Sequence, residues 1–139
     1  MDAESKKSSL KSGTTILGIA CKDGVVMAAD RQVTAGNLVM NKNYEKVVQV
    51  NDYLLMSFTG MVSDAQRVLK ILPAELKLKE LRSKSRPTIK QAAHLLSSML
   101  YAGARQGGMV VGNLIAGFNE DGTAELYTVE PAGGVYKVE

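Results

Sequence analysis

The 139-residue sequence contains no tryptophan, one cysteine and one histidine, and only 5% of its residues are aromatic. The low aromatic content argues against the base-stacking surfaces with which proteins bind single-stranded nucleic acid. The single cysteine, Cys21, excludes an internal disulfide and fits a reducing compartment, so a cytoplasmic location is predicted. No apolar run approaches the roughly eighteen residues of a membrane-spanning helix, and the polar N-terminus lacks a secretory signal. We therefore expect no nucleic-acid partner and no membrane partner.

Several common catalytic devices are also missing from the sequence. It has no glycine-rich phosphate loop, no cluster of cysteine and histidine that would bind a metal, and no Ser-His-Asp set. The one histidine, His94, lies in a helical pattern among alanine and leucine neighbours, which is typical of a structural or exposed side chain. We expect no metal site and no organic cofactor, and any catalysis must proceed without histidine.

The chain begins with a polar segment of 13 residues, rich in serine and lysine, that reads as a leader. From Thr14 onward, alternation of apolar residues around tight turns predicts hairpin strands in one domain, 14–139. The segment between residues 30 and 45 is interpreted as a polar loop, and Cys21 is predicted to fill the core. The predicted strands are 14–21, 25–29, 46–50, 53–58, 110–118, 125–129 and 135–138.

Two helices are predicted between the second and third groups of strands. The first has apolar residues from Ala65 to Leu76 on one face, and Pro73 is expected to interrupt and kink it. The second is expected to begin near Pro87, a good first-turn residue. Its apolar stripe comprises Ile89, Ala92, Ala93, Leu96, Met99, Leu100 and Gly103. Antiparallel hairpins with a helix pair that covers one sheet face predict a layered α+β fold.

One pattern offers catalysis without histidine. Gly13-Thr14-Thr15 stands where the polar leader meets the first strand, so cleavage before Thr14 would place a free α-amino group beside the threonine hydroxyl. Such an amine has a pKa of about 7.7–8.0, whereas a lysine side chain has a pKa of about 10.4, so the amine is a ready general base. Asp30 ends the second strand and Lys46 opens the third. From spacing alone these charges are interpreted as solvated strand ends or a surface ion pair.

The chain resembles a known family at this point. Residues 13–31, Gly-Thr-Thr-Ile-Leu-Gly-Ile-Ala-Cys-Lys-Asp-Gly-Val-Val-Met-Ala-Ala-Asp-Arg, look like the opening of a proteasome β subunit of the archaeal type. The similarity continues through residues 43–47, 59–66, 74–76 and 130–134. It implies the four-layer αββα sandwich of N-terminal-nucleophile hydrolases, here incomplete at the C-terminal end.

The resemblance assigns roles to individual residues. It implies that Thr14 is the nucleophile, that Lys46 lowers the pKa of the Thr14 hydroxyl, and that Asp30 holds Lys46. Gly13–Thr14 would be the cleavage site, the N–H of Gly60 would stabilise the oxyanion, and the backbone of Thr34 would pair with the substrate strand. A pocket that prefers large apolar substrate residues would be lined by Val33, Tyr44, Val48, Phe58 and Val62. Replacing Lys46 is expected to abolish activity with little loss of fold.

The function implied is that of a catalytic β subunit of a 20S-type proteasome core, a threonine endopeptidase that degrades unfolded proteins and cuts itself between Gly13 and Thr14. Its expected partners are other β subunits in a ring, α subunits, an ATP-dependent unfoldase and unfolded polypeptide substrates. Two alternatives stay open. The first is the β-type subunit of a bacterial two-component ATP-dependent peptidase, which also carries glutamine at the position of Gln32. The second is a non-catalytic ring subunit or assembly fragment. Because the family continues beyond residue 139, this chain itself is expected to be inactive.

Overall fold

The computed structural model describes residues 15–35, 38–105 and 111–138. Within these residues, the first four strands form two hairpins and the other five form a central sheet. Two helices lie between the second and third strands of that sheet. The strands are β1 (Ile16–Cys21), β2 (Gly24–Ala29), β3 (Val33–Ala35), β4 (Leu38–Asn41), β5 (Val47–Asn51), β6 (Leu54–Gly60), β7 (Val111–Phe118), β8 (Ala124–Val129) and β9 (Val135–Lys137). The helices are α1 (Val62–Ser83) and α2 (Ile89–Arg105).

The five-stranded sheet has the order β5-β6-β7-β8-β9, and every neighbouring pair is antiparallel. Alternation along β6 turns Leu54, Met56 and Phe58 toward the helices, where they are almost fully buried. The apolar stripes of α1 and α2 complete this core. Their buried residues are Ala65, Val68, Leu72 and Leu76 of α1, and Ile89, Ala92, Ala93, Leu96 and Leu100 of α2.

The opposite face of the sheet is covered by the β1–β2 hairpin. Gly18 of β1 comes so close that a Cβ built on it would lie 3.2 Å from side-chain atoms of Leu114 and Leu126. The described residues thus form a helix layer, a central sheet and a second β layer, and the predicted α+β class is confirmed. The outer face of the hairpin carries Leu17 and Ile19, which are 61% and 62% exposed.

The structure corrects two expectations in the first part of the chain. The predicted polar loop contains a short hairpin, β3 with β4, because its brief apolar stretches are long enough to pair although polar residues surround them. Cys21 is exposed and does not fill the core. Alternation places it on the outer face of β1 with Leu17 and Ile19, the face that the described residues leave uncovered.

Both predicted helices are present, and the structure refines one point in each. α1 runs through Pro73 as one helix from Val62 to Ser83, so the proline does not divide it, and the expected kink stays a prediction. The second helix begins at Ile89, two residues after Pro87, and Thr88 caps it. The Thr88 Oγ1 accepts the Gln91 N–H at 3.1 Å, and the Thr88 N–H donates to Gln91 Oε1 at 3.0 Å. This reciprocal pair is a capping box that satisfies otherwise unpaired N–H groups.

The capping box generates a stability prediction. Thr88→Ala removes the hydroxyl that accepts the Gln91 N–H, so the free energy of unfolding should fall by about 1 kcal/mol. Thr88→Ser keeps a hydroxyl in the same place and serves as the control. Urea unfolding followed by circular dichroism measures both variants. Equal stability of the alanine and serine variants would contradict a stabilising role for the cap.

Candidate active site

The carboxylate of Asp30, one residue beyond β2, is bound to the start of the described chain. The Thr15 N–H donates to Asp30 Oδ2 at 2.7 Å, and the Asp30 N–H donates to the Thr15 carbonyl at 3.2 Å. Thr15 is therefore fixed to Asp30 by a reciprocal pair of hydrogen bonds. Gly13 and Thr14, the predicted cleavage site and nucleophile, lie outside the described residues.

Lys46 immediately precedes β5, and its side chain is only 5% exposed. Its ammonium lies 2.6 Å from Asp30 Oδ1 and donates a second hydrogen bond to the Gln32 carbonyl, also at 2.6 Å. Asp30 Oδ1 additionally accepts the Gln32 N–H at 3.1 Å. The interpretation of Asp30 and Lys46 as solvated strand ends or a surface ion pair is therefore wrong, since the lysine is buried and held on two sides.

These contacts set the protonation state of Asp30. Partial burial raises the pKa of its carboxyl group, but the hydrogen bond from Lys46, the N–H groups of Thr15 and Gln32, and the lysine charge together outweigh burial. The net result is a pKa below the ordinary value for aspartate. Asp30 is consequently a carboxylate at neutral pH and remains a full counter-charge for the buried ammonium.

Gly60 ends β6 on an exposed stretch of backbone, where it pairs with Val111 of β7. Its φ of 120° lies in a region that residues with a Cβ rarely adopt, so glycine is required there. The same strand end is tied to the lysine, because the Phe58 N–H donates to the Lys46 carbonyl at 3.3 Å. Gly60 therefore lies two residues from the backbone contact that joins β6 to Lys46.

The structure brings together three of the five predicted pocket residues. The rings of Tyr44 and Phe58 meet edge to face with their centroids 6.2 Å apart, and Val48 packs against the same core cluster. Phe58 is only 4% exposed and faces the helices, an orientation that strand alternation alone could not decide. Val33 in β3 and Val62 at the start of α1 are half-buried. The outline of the pocket stays a prediction.

Gln66 of α1 contacts the predicted pocket residue Tyr44, and nothing in the sequence indicated this contact. Its Nε2 donates to the Tyr44 hydroxyl at 3.2 Å, while the Tyr44 N–H donates to the Arg31 carbonyl at 2.8 Å. These bonds connect the tyrosine to α1 and to the segment after Asp30. Only the helical spacing of Gln66, one turn after Val62, could have placed it on this side of the helix.

The predicted substrate-pairing position, Thr34, lies in β3. Its backbone pairs with Val39 of β4, and the register shifts between Val33 and Thr34. Among the described residues β3 pairs only with β4, which leaves its second edge for an added strand. This arrangement is compatible with the predicted backbone pairing.

A cavity of about 340 Å³ opens beside the lysine between β2 and β5. It is separate from the predicted pocket, since none of the five predicted residues lines it. An ion pair of 3.7 Å between Arg31 and Glu45 lies at its exposed rim. The lining residues are Met27, Ala28, Ala29, Arg31, Glu45, Lys46 and Val47.

The described part of the chain contains neither a metal-binding cluster nor a membrane-spanning helix. No group of three or more histidine, cysteine, aspartate or glutamate side chains there is arranged to hold a metal ion. No helix among those residues is both long and apolar enough to cross a membrane. The arrangement around Asp30 therefore consists of a carboxylate, an ammonium and backbone groups, which can orient and polarise a nucleophile.

The Asp30 contacts generate a prediction about pH. Because the folded-state pKa of Asp30 is lowered, its stabilising contribution is complete above its unfolded pKa, about 3.9, and disappears as pH falls through the folded value. The difference in unfolding free energy between wild type and Asp30→Asn should be constant above about pH 5 and shrink below about pH 4. Denaturant titrations from acidic to neutral pH measure it. A difference that stays constant or grows on acidification would contradict these contacts.

Comparison with known proteins agrees with the resemblance. A family model described as "Proteasome subunit" matches residues 10–139. The chain is 41% identical to a proteasome subunit beta of Methanobrevibacter smithii over 123 residues, which are 88% of this chain and 58% of that protein. It is 37% identical to the one of Methanothermobacter thermautotrophicus (93% and 60% covered) and 39% identical to the one of Nanoarchaeum equitans (90% and 63% covered). The chain thus spans about three fifths of the length of these relatives.

Proposed function

Because the chain belongs to the proteasome subunit family, we propose that it is the N-terminal part of a catalytic β subunit, a threonine endopeptidase whose nucleophile is Thr14. The observation that carries the proposal is the position of Asp30, which binds the Thr15 N–H through one carboxylate oxygen and the Lys46 ammonium through the other. One side chain thereby connects the lysine to the residue that follows the proposed nucleophile.

Covalent geometry makes this connection informative. Adjacent Cα atoms are about 3.8 Å apart, so a fixed Thr15 strongly restricts where the preceding residue can lie. The buried ammonium of Lys46, held by Asp30 and the Gln32 carbonyl, supplies positive charge in the same region. A positive charge beside the Thr14 hydroxyl would lower its pKa and favour the alkoxide that attacks a carbonyl carbon.

The proposed reaction is acyl transfer. The α-amino group of Thr14, freed by cleavage after Gly13, takes the hydroxyl proton while Oγ attacks the substrate carbonyl. The Gly60 N–H stabilises the resulting oxyanion. The proton passes to the leaving amine as the peptide bond breaks, and an ester between Thr14 and the substrate remains. Water, activated by the same amine, hydrolyses that ester and restores the free hydroxyl.

Assembly and substrates follow from the family as further parts of the proposal. The subunit would join other β subunits and α subunits in a core particle, receive unfolded polypeptides from an ATP-dependent unfoldase, and act in the cytoplasm. The archaeal relatives, all described as proteasome subunit beta, favour this reading over a bacterial two-component peptidase. The pairing of Asp30 with the buried Lys46 favours it over a non-catalytic ring subunit.

Self-processing gives the first test of the function. In the intact, assembled protein, the Thr14 hydroxyl would attack the Gly13 carbonyl and form an ester that water opens, so Thr14→Ala should retain the leader. Thr14→Ser keeps a hydroxyl nucleophile and should still be processed. Intact mass spectrometry distinguishes the two outcomes. Normal leader removal in the alanine variant would rule out self-cleavage by Thr14.

Lys46 gives the second test. The expectation that its replacement causes little loss of fold is revised here. Because the Lys46 side chain is buried and paired, its removal should destabilise the protein by more than the 0.5 kcal/mol or so of a typical surface substitution. Lys46→Met removes the charge while it fills much of the volume. Its turnover in the assembled protein should fall by at least about a hundredfold, the scale seen when one charge-stabilising donor is lost.

The control for this variant separates catalysis from folding. Thr88→Ala should lower stability without changing the Asp30–Lys46 contacts, so it should keep its activity wherever it is folded. Peptide hydrolysis is compared at a temperature where circular dichroism shows both variants to be folded. Turnover of Lys46→Met within about threefold of wild type would remove the lysine from the proposed mechanism.

A further inference from the structure

The helix layer carries most of the chain's positive charge. The segment 62–105, which contains α1 and α2, has nine lysine and arginine residues but only three acidic ones, whereas the whole chain has a net charge of only +3. The remaining residues are therefore net acidic. A charge imbalance of this kind on one layer favours association with a partner of opposite sign.

A groove between α1 and α2 concentrates this charge. It has a volume of about 330 Å³, and no acidic side chain lines it. One wall is formed by Lys79 of α1 and the other by α2. The residues contributed by α2 are Lys90, Gln91, His94, Leu95 and Ser98. The groove thus combines two ammonium groups, an imidazole, polar donors and one apolar contact.

The two lysines of the groove are not neutralised within the described residues. Ion pairs there join Arg31 to Glu45, Lys46 to Asp30 and Lys137 to Glu125, and none of these includes Lys79 or Lys90. Glu75 precedes Lys79 by one turn on α1 but does not come within ion-pair distance of it. The charges of Lys79 and Lys90 are therefore available to carboxylates from another molecule.

We propose that this groove docks an acidic segment of a partner polypeptide. Carboxylates of the segment pair with Lys79 and Lys90, and an apolar side chain between them contacts Leu95. Gln91 uses its Oε1 in the capping box, so its Nε2 can donate to a backbone carbonyl of the segment. Single-stranded nucleic acid fits less well, because no aromatic side chain lines the groove for a base to stack on.

The test uses a fluorescein-labelled heptapeptide with a central leucine flanked by glutamates, titrated with the 139-residue chain and followed by fluorescence anisotropy. The wild type should bind it saturably, and more weakly as salt rises. The double variant Lys79→Glu, Lys90→Glu should bind at least about tenfold more weakly. Circular dichroism must show that the variant retains its helices.

The matched control is Lys70→Glu, Lys77→Glu, which reverses the same number of charges on α1. Lys77 lines a different cavity, and Lys70 lies two turns before it on the same side of the helix. The control variant should bind the peptide less than about threefold more weakly than the wild type, as expected for screened long-range charge. Equal weakening in both double variants, or no saturable binding by wild type, would overturn the proposal.

Other occupants give different results in the same experiment. A labelled single-stranded RNA of equal charge that binds more tightly than the peptide, and loses binding in the Lys79, Lys90 variant, would assign the groove to nucleic acid. Sedimentation velocity that shows a dimer of the chain, lost in that variant alone, would assign it to a second copy. Either result would overturn the proposal of an acidic partner segment.

Discussion

The burial of the Lys46 ammonium is the constraint on which the rest of the candidate site depends. An isolated ammonium is strongly destabilised away from water, so a lysine that is 5% exposed needs nearby acceptors. Asp30 and the Gln32 carbonyl supply them, each at 2.6 Å. Asp30 in turn binds Thr15. The beginning of β1, the end of β2 and the beginning of β5 are thereby held together around one charge.

Asp30 and Lys46 form more than a simple ion pair, because Asp30 is also bound by backbone N–H groups. A carboxylate that bound only the lysine could turn with it, but Asp30 also accepts the N–H groups of Thr15 and Gln32. The aspartate is therefore fixed to the backbone on two sides, and the lysine is fixed by the aspartate. In the proposed mechanism the Lys46 ammonium must be positioned precisely, because the nucleophile and its charge partner come from different strands.

Much of the fold could be predicted from the sequence because its signals are local and periodic. The stripe from Ala65 to Leu76 and the apolar residues of α2 recur at helical spacing, and both helices are present. The β3–β4 hairpin was missed because its strands are too short to show a period. The exposure of Cys21 could not be predicted, since alternation identifies two faces of a strand but not which of them is covered.

Some residues of the candidate site could be identified from the sequence, and others could not. Asp30, Lys46 and Gly60 became candidate site residues through family resemblance, whereas spacing alone gave the wrong interpretation of the two charges. The roles of the Gln32 carbonyl and the Thr15 N–H left no signal, because every residue but proline has these backbone groups. Gln66 was missed because its contact with Tyr44 joins elements 22 residues apart.

The outer face of the β1–β2 hairpin bears on the predicted four-layer fold. Leu17, Ile19 and Val26 are each about three fifths exposed there, and the register places Ile19 opposite Val26. Exposed apolar side chains grouped on one face favour contact with another element or another molecule. The relatives are longer than this chain, and the αββα arrangement predicts that a second helix layer packs on this face.

The proposed mechanism requires Asp30 and Lys46 to be arranged around Thr14. The most direct measurement is the distance from Thr14 Oγ to Lys46 Nζ in an experimental structure of the assembled, processed protein. We expect hydrogen-bond distance, about 2.6–3.2 Å, with Asp30 still bound to both Lys46 and Thr15. A separation beyond about 6 Å, with the lysine buried as described here, would contradict it and leave the Asp30–Lys46 pair a purely structural feature.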